Sequence, residues 1–412
     1  MRALVLVRHP EYVVILAGVA AALHIGKLPP AIPVLRDSLG VSLVQAGFLL
    51  SLVQMAGMLM GLLVGLAADG IGLRRAMLGG LALLSVASAL GALAQDPASL
   101  LLLRAVEGCG FLLAVMPAPG LIRRLTPVSK LPSAMGMWGA YMPFGTAIAL
   151  AGGPLLIAWV GWRSWWLWLA VVTLVMVCGV YLVVTPDADA SHDRPRARSG
   201  ARRPGAWVQR VRRTLGAVGP WLVAACFALY SGQWLAVIGF LPSMAEQSGL
   251  TGGGIAPLLA MVALVNAVGN VASGRLLQRG VRAKVLLATG FCAMALGAVV
   301  AFAGSNAAGG ADPLLLVRYL GVLMFSMVGG VIPGTLFSLT VVLAPDEGSI
   351  STTVGWMQQL SALGQFVGPP VVAWVAAQAG GWQWTWVVTG SCSVLGLLVA
   401  HRIGREVGRA RN

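Results

Sequence analysis

The chain has 412 residues, of which 58% are apolar and only 10% charged, and its mean hydropathy is +0.86. A soluble domain of this length buries one core and keeps polar helix faces, so this composition excludes that class. The formal net charge of +15 points at first to nucleic acid, until the charges are placed along the chain.

Twelve apolar stretches follow one another, at 12–35, 43–67, 76–95, 99–119, 133–158, 165–184, 220–241, 255–277, 285–304, 314–342, 350–376 and 384–401. A run of about 20 apolar residues crosses the hydrocarbon core. Only helices and closed barrels satisfy their backbone there. These runs exceed barrel strands in length and lack their alternation. The expected fold is therefore an all-α integral membrane protein with twelve transmembrane helices. The first stretch ends in Pro29, Pro30 and Pro33 rather than in a small-residue cleavage site, so it reads as a helix and not a signal peptide.

The basic residues sit in alternate loops. Arg74 and Arg75 follow span two, and Arg123, Arg124 and Lys130 follow span four. Eight arginines from Arg194 to Arg213 fill the central loop. Arg279, Arg282 and Lys284 follow span eight, and Arg402, Arg405, Arg409 and Arg411 form the tail. The opposite loops hold only Arg36 and Arg163, while Asp346 and Glu347 form one acidic loop against the trend. The positive-inside rule then places both termini in the cytoplasm, in a plasma membrane that for a bacterium is the inner one. Basic turns without interleaved aromatics do not make a nucleic-acid surface. Cys109, Cys178, Cys226, Cys292 and Cys392 all lie within spans and read as small apolar residues, not disulfides or metal ligands.

The polar stretch 186–219 reads as a flexible basic linker between an N-terminal six-helix bundle (1–185) and a C-terminal one with a cytoplasmic tail (220–412). Its arginines are placed to touch anionic lipid. The bundles repeat. Asp96-Pro97 leads to Arg104 as Asp312-Pro313 leads to Arg318, and Gly153-Pro154 is matched by Gly368-Pro369. Two halves of like topology form a transporter plan, with the binding site between them near the midplane.

Span two ends in Gly65-Leu-Ala-Ala-Asp69-Gly-Ile-Gly72-Leu-Arg74-Arg75. This resembles the loop signature of the major facilitator superfamily, although Leu73 stands where arginine is common. Arg104-Ala-Val-Glu107-Gly108 is similar to the helix-four motif of the same family. The resemblance covers the whole chain and implies the major facilitator fold, with two pseudo-symmetric six-helix bundles in a monomer. It implies that Gly65, Asp69, Gly72, Arg74 and Arg75 form a cytoplasmic latch of the outward-open state. The antiporter glycines of span five are missing. The Lys27 segment and the overall size resemble the cyanate/nitroimidazole permease branch. Gly57, Gly61 and Gly65 in span two, and Gly364 and Gly368 in span eleven, mark close packing that also suits sliding gates.

Ionisable groups placed within the hydrocarbon are His24, Lys27, Arg104, Glu107 and Arg318. A central charge costs at least ~3 kcal/mol, which makes each one a functional candidate. Glu107 is the sole interior carboxylate and the candidate for proton coupling, with a static pair to Arg104 as the alternative. Lys27 lies in a stretch broken by Gly26, Pro29 and Pro30, as helices that line cavities are. Candidate substrate-binding residues are Lys27, His24, Arg104, Trp138, Tyr141, Tyr230, Gln233, Asn266, Arg318, Trp356 and Gln359.

The surplus of positive charge points to a small anionic solute. An inside-negative potential opposes anion uptake by ~2.3 kcal/mol per charge per 100 mV, so uptake needs a co-transported proton. No phosphate loop, metal constellation or nucleophile triad is present in the sequence, so transport without a cofactor is expected rather than catalysis. The expected partners are the solute, a proton and membrane lipid. A proton-driven multidrug or metabolite exporter and a transporter-like ligand sensor are the alternatives.

Overall fold

The computed structural model describes residues 9–62, 72–186, 206–247, 255–304 and 314–411. Among the described residues eleven helices are long and apolar enough to cross a membrane. One of them, Tyr141–Val183, has 43 residues. At 1.5 Å per residue it would be about 65 Å long, twice the hydrocarbon thickness. Gly161, at φ 79° and ψ 164°, breaks it. Before the break, Gly145 lies against Ala22, and Gly26 against Thr146 and Ala149. After it, Thr173 bonds to His24 and Gly179 lies against Val13. The numbering rises together on the first side and in opposition on the second. The chain therefore reverses at Gly161, and the long helix is two crossings. Sequence hydropathy places a loop of several residues here. The structure turns on one glycine, because only glycine takes this φ without strain.

The membrane helices are α1 (Pro10–Leu39), α2 (Leu43–Leu62), α3 (Leu73–Gly91), α4 (Pro97–Leu125), α5 (141–160), α6 (162–183), α7 (Val218–Gln247), α8 (Ala256–Gln278), α9 (Ala283–Phe302), α10 (Leu315–Leu343), α11 (Glu347–Ala379) and α12 (Trp382–Arg409). α1–α6 form one bundle and α7–α12 the other. They meet where α2 packs on α11 and where the Tyr141–Val183 pair packs on α8. α1 and α7 run through the interior: 83% and 78% of their most apolar windows are buried, against 28% for α12. A helix so enclosed can hold polar groups that lipid would not accept.

Several helix ends are satisfied by side chains. Asp96 caps α4, accepting from the Ser99 N–H at 2.9 Å, and this bond holds its carboxyl below the usual range. Arginines cap C-terminal carbonyls. Arg163 donates to Ala92 and Ala94 at the end of α3, and Arg318 to Ala301, Ala303 and Gly304 at the end of α9. At the opposite end Arg74 donates to Tyr181 O and Arg124 to Thr185 O, both at the end of α6.

The linker expected at 186–219 is helical over Ala206–Gly216. Trp207, Val211 and Leu215 recur every four residues, so one apolar stripe forms between the arginines. Arg213 pairs with Asp346 at 3.3 Å, tying this helix to the start of α11.

The glycine pattern divides differently from the expectation of sliding gates. Gly47, Gly57 and Gly61 of α2 do face Pro370, Ala362 and Gln359 of α11. Gly364 and Gly368 of α11 instead face Ala228 and Gly232 of α7, inside their own bundle.

Candidate functional site

α1 stops being α-helical at Gly26, and a 3-10 turn takes over at Pro29–Ala31. The two prolines withhold N–H groups, so carbonyls near the break need other donors. Trp165 Nε1 donates to Lys27 O at 3.2 Å. The break leaves Lys27 inside the first bundle, fully enclosed between α1, α3, α4 and α6.

Lys27 uses all three of its hydrogens on protein acceptors. They go to Glu107 Oε1, to Ser88 Oγ at 3.0 Å and to His24 Nδ1 at 3.4 Å. Its ammonium also lies 4.6 Å from the ring centre of Trp166. Ser88 passes its own hydrogen to Trp166 O at 3.1 Å. Thr173 Oγ1 donates to Leu169 O at 2.8 Å, so it accepts from His24 Nε2 at 2.7 Å. This bonding assigns the proton of His24 to Nε2 and leaves Nδ1 as the acceptor for Lys27.

Glu107 is 1% exposed and holds two cations, Lys27 on one oxygen and Arg104 on the other at 2.6 Å. Arg104 Nε donates to Leu49 O on α2 at 3.0 Å. With His24 neutral, two cations and one carboxylate leave this buried cluster at +1. The sequence anticipates the Arg104–Glu107 pair from its spacing. It does not anticipate Lys27 on the same carboxylate, because the two are 80 residues apart. The sequence does not single out Ser88, Thr173 or Trp166 either, whose signal is a polar or aromatic residue within an apolar span.

The second bundle holds an uncharged counterpart. Asn266 donates to Tyr230 Oη at 2.9 Å and to Ser326 O at 2.8 Å, and Trp234 Nε1 donates to Ser326 Oγ at 3.2 Å. Asn270 donates to Asn266 Oδ1 at 3.1 Å, and Gln233 accepts from Ser393 at 3.1 Å.

Between the bundles, two glutamines of α11 grip α2. Gln365 accepts from Gln54 at 3.0 Å. Gln359 donates to Met58 O at 2.8 Å and accepts from the Leu62 N–H at 3.0 Å. Replacing Gln359 with leucine removes both of its bonds across the interface, a loss of about 0.5–1.5 kcal/mol each. Hydrogen exchange should then speed up roughly tenfold at the Leu62 amide and at residues 355–362. Unchanged exchange would show that the grip does not hold the halves together.

The structure thus brings His24, Lys27, Arg104 and Glu107 into one cluster, and Tyr230 and Asn266 into another. Gln233 lies in the second bundle with that cluster, bonded to Ser393, and the other candidates lie apart from both. Trp138 and Tyr141 stack on each other at 4.2 Å, with Trp138 against Gly18 of α1. Trp356 packs edge-on against Trp221 at 4.7 Å. Arg318, near the start of α10, caps carbonyls at the end of α9. Of the latch, Gly65 and Asp69 lie outside the described residues, Gly72 starts α3 at φ 97°, and Arg75 follows Arg74 on α3.

A solved structure with this architecture is a bacterial homolog of the human lysosomal transporter Spinster, in an inward-facing and occupied conformation. It matches 98% of this chain and 97% of its own with a TM-score of 0.71, at 13% sequence identity, which speaks for the fold alone. The chain is also 35% identical over 156 residues to the puromycin resistance protein pur8 of Streptomyces alboniger. That match covers 37% of this chain and only 31% of the length of the relative. The sequence profile of the Major Facilitator Superfamily matches residues 14–364, most of both bundles. The chain belongs to the major facilitator superfamily.

Proposed function

We propose that this superfamily transporter carries a small anionic solute by proton-coupled alternating access, α1–α6 moving against α7–α12. The observation that supports it best is Glu107 held between Lys27 of α1 and Arg104 of α4. Other acids of the described helices, such as Glu11, Asp37 and Glu246, lie near helix ends. A proton on Glu107 cancels the charge that ties the broken helix α1 to α4 and leaves two cations side by side. Proton binding therefore favours a rearrangement of α1, and an arriving anion offsets the exposed charge. The uncharged Tyr230–Asn266 cluster supplies hydrogen bonds from the other half. Uptake of a monovalent anion with one or more protons avoids the opposition of an inside-negative potential. The basic residue in the first helix fits the cyanate/nitroimidazole branch.

The same reading has the protein as a monomer in the bacterial inner membrane, with both termini cytoplasmic, as the arginine placement supports. Gly65, Asp69, Gly72, Arg74 and Arg75 then act as a cytoplasmic latch. A second reading, drug export driven by proton antiport, is favoured by the similarity to the puromycin resistance protein.

The test is proton movement in proteoliposomes with an internal pH dye. Small carboxylates and inorganic anions are compared with puromycin and lipophilic cations. An anion should evoke proton flux that disappears in the double variant Lys27→Met with Glu107→Gln, which keeps the cluster at +1. A response to puromycin or other cations alone would replace the anion reading with drug export.

A further inference from the structure

The end of the protein richest in loop arginines carries a basic cluster that the transport reading does not use. α9 begins there and α12 ends there. The two run antiparallel in close contact: a Cβ added at Gly396 would meet Phe291, and one at Gly404 would meet Lys284. The contact at Gly404 is with the methylene stem of the lysine, from Cβ to Cδ. Because glycine has no Cβ, that stem can lie across α12. The charges of Lys284, Arg405 and Arg402 all bear on His401 of α12, that of Lys284 most strongly. All four side chains are exposed. The acid of this segment, Glu406, pairs with Arg409 at 2.8 Å, and among the described residues Lys284, Arg402 and Arg405 form no ion pair. On α12, Val394, Leu398, His401 and Arg405 fall within one arc of about 60° at 3.6 residues per turn. Val394 and Leu398 are 56% and 61% exposed, while Ala400 and Ile403 on the other side of the helix are buried. Arg405 follows Leu398 by about 10 Å along the axis. One stripe therefore runs from hydrocarbon-facing side chains to unpaired cations at the depth of the headgroups.

We propose that this rim of α9 and α12 binds an anionic phospholipid, with its phosphate between Lys284 and Arg405 beside His401 and its acyl chains along Val394 and Leu398. Basic groups at the membrane surface attract anionic headgroups. A zwitterionic lipid would bring an ammonium into a cluster with no free acid to meet it. A soluble anion would leave the apolar half of the stripe unused. The proposal goes beyond the transport reading and does not depend on which solute is carried.

Purified protein is incubated with phosphatidylglycerol, cardiolipin or phosphatidylethanolamine, and the retained lipid is counted by native mass spectrometry. Retention of the two anionic lipids over phosphatidylethanolamine is expected, with a melting temperature that rises with their concentration. A basic residue near the membrane surface is worth about fivefold in affinity for anionic lipid, so Lys284→Gln with Arg405→Gln should weaken retention about twenty-five-fold. Arg123→Gln with Arg212→Gln removes as much charge from exposed positions of the same end and should leave retention nearly unchanged. Gly404→Ala keeps every charge but puts a methyl group 2.6 Å from Lys284 Cδ, and should weaken retention about as much as Lys284→Gln alone. Equal losses in the two double variants would mean a diffuse field and no site. Equal retention of phosphatidylethanolamine would overturn the proposal as well. So would equal stabilisation by glycerol phosphate, which has the headgroup charge without the chains.

Discussion

Glu107→Gln is expected to destabilise the protein by about 3–5 kcal/mol, because it leaves Lys27 and Arg104 buried together with no anion between them. The charge count sets the order. The native cluster is at +1, Glu107→Gln raises it to +2, and Lys27→Met lowers it to zero. The double variant returns it to +1 and should recover part of the loss. Heat inactivation of the detergent-solubilised protein at fixed temperature, scored as half-life, checks this order. A double variant less stable than Glu107→Gln alone would show that packing around Lys27 matters more than charge. The salt-bridge partners sit on helices that do not touch in sequence, so the coupling between the two sites is also a test of the fold.

Gly364→Ala should cost more than its single methyl group suggests. A Cβ there would lie 2.2 Å from Ala228 O of α7, and one at Gly368 would lie 2.4 Å from Gly232 O. The obstacle is backbone, so α7 and α11 must part along their length instead of one side chain moving aside. Overpacking of this kind costs about 1–3 kcal/mol even in cores that adapt. Expression of monodisperse protein should fall sharply in Gly364→Ala and nearly vanish in the double alanine variant. Gly152→Ala is the control: nothing lies within 4 Å of its added carbon, and alanine is the better helix former. Equal yields of Gly364→Ala and Gly152→Ala would mean that the close approach of α7 and α11 is not needed for folding.

The membrane class, the succession of spans, the twofold repeat and the family motifs were legible in the residues, because each is a local property. Hydropathy sums along the chain, and the Arg104–Glu107 pair follows from three residues of one helix. The turn at Gly161 was not legible, since a positive-φ reversal leaves no gap in the apolar run. Arg318 and Arg104 occupy matching places in the repeat. Only packing separates them, one capping α9 at the rim and the other closed inside the first bundle.

Residue order alone tells which groups are ionisable within the membrane and on which helices they sit. Which of them meet depends on how the helices pack. Small residues let α5 close on α1, with Gly145 against Ala22 and Gly26 against Thr146, and Lys27 reaches Glu107 of α4 from within that packing. The proline break then turns the lysine inward. The rotation of a helix about its own axis depends on every neighbour at once, and hydropathy is blind to it. That rotation decides whether a lysine meets a carboxylate, a solute or lipid.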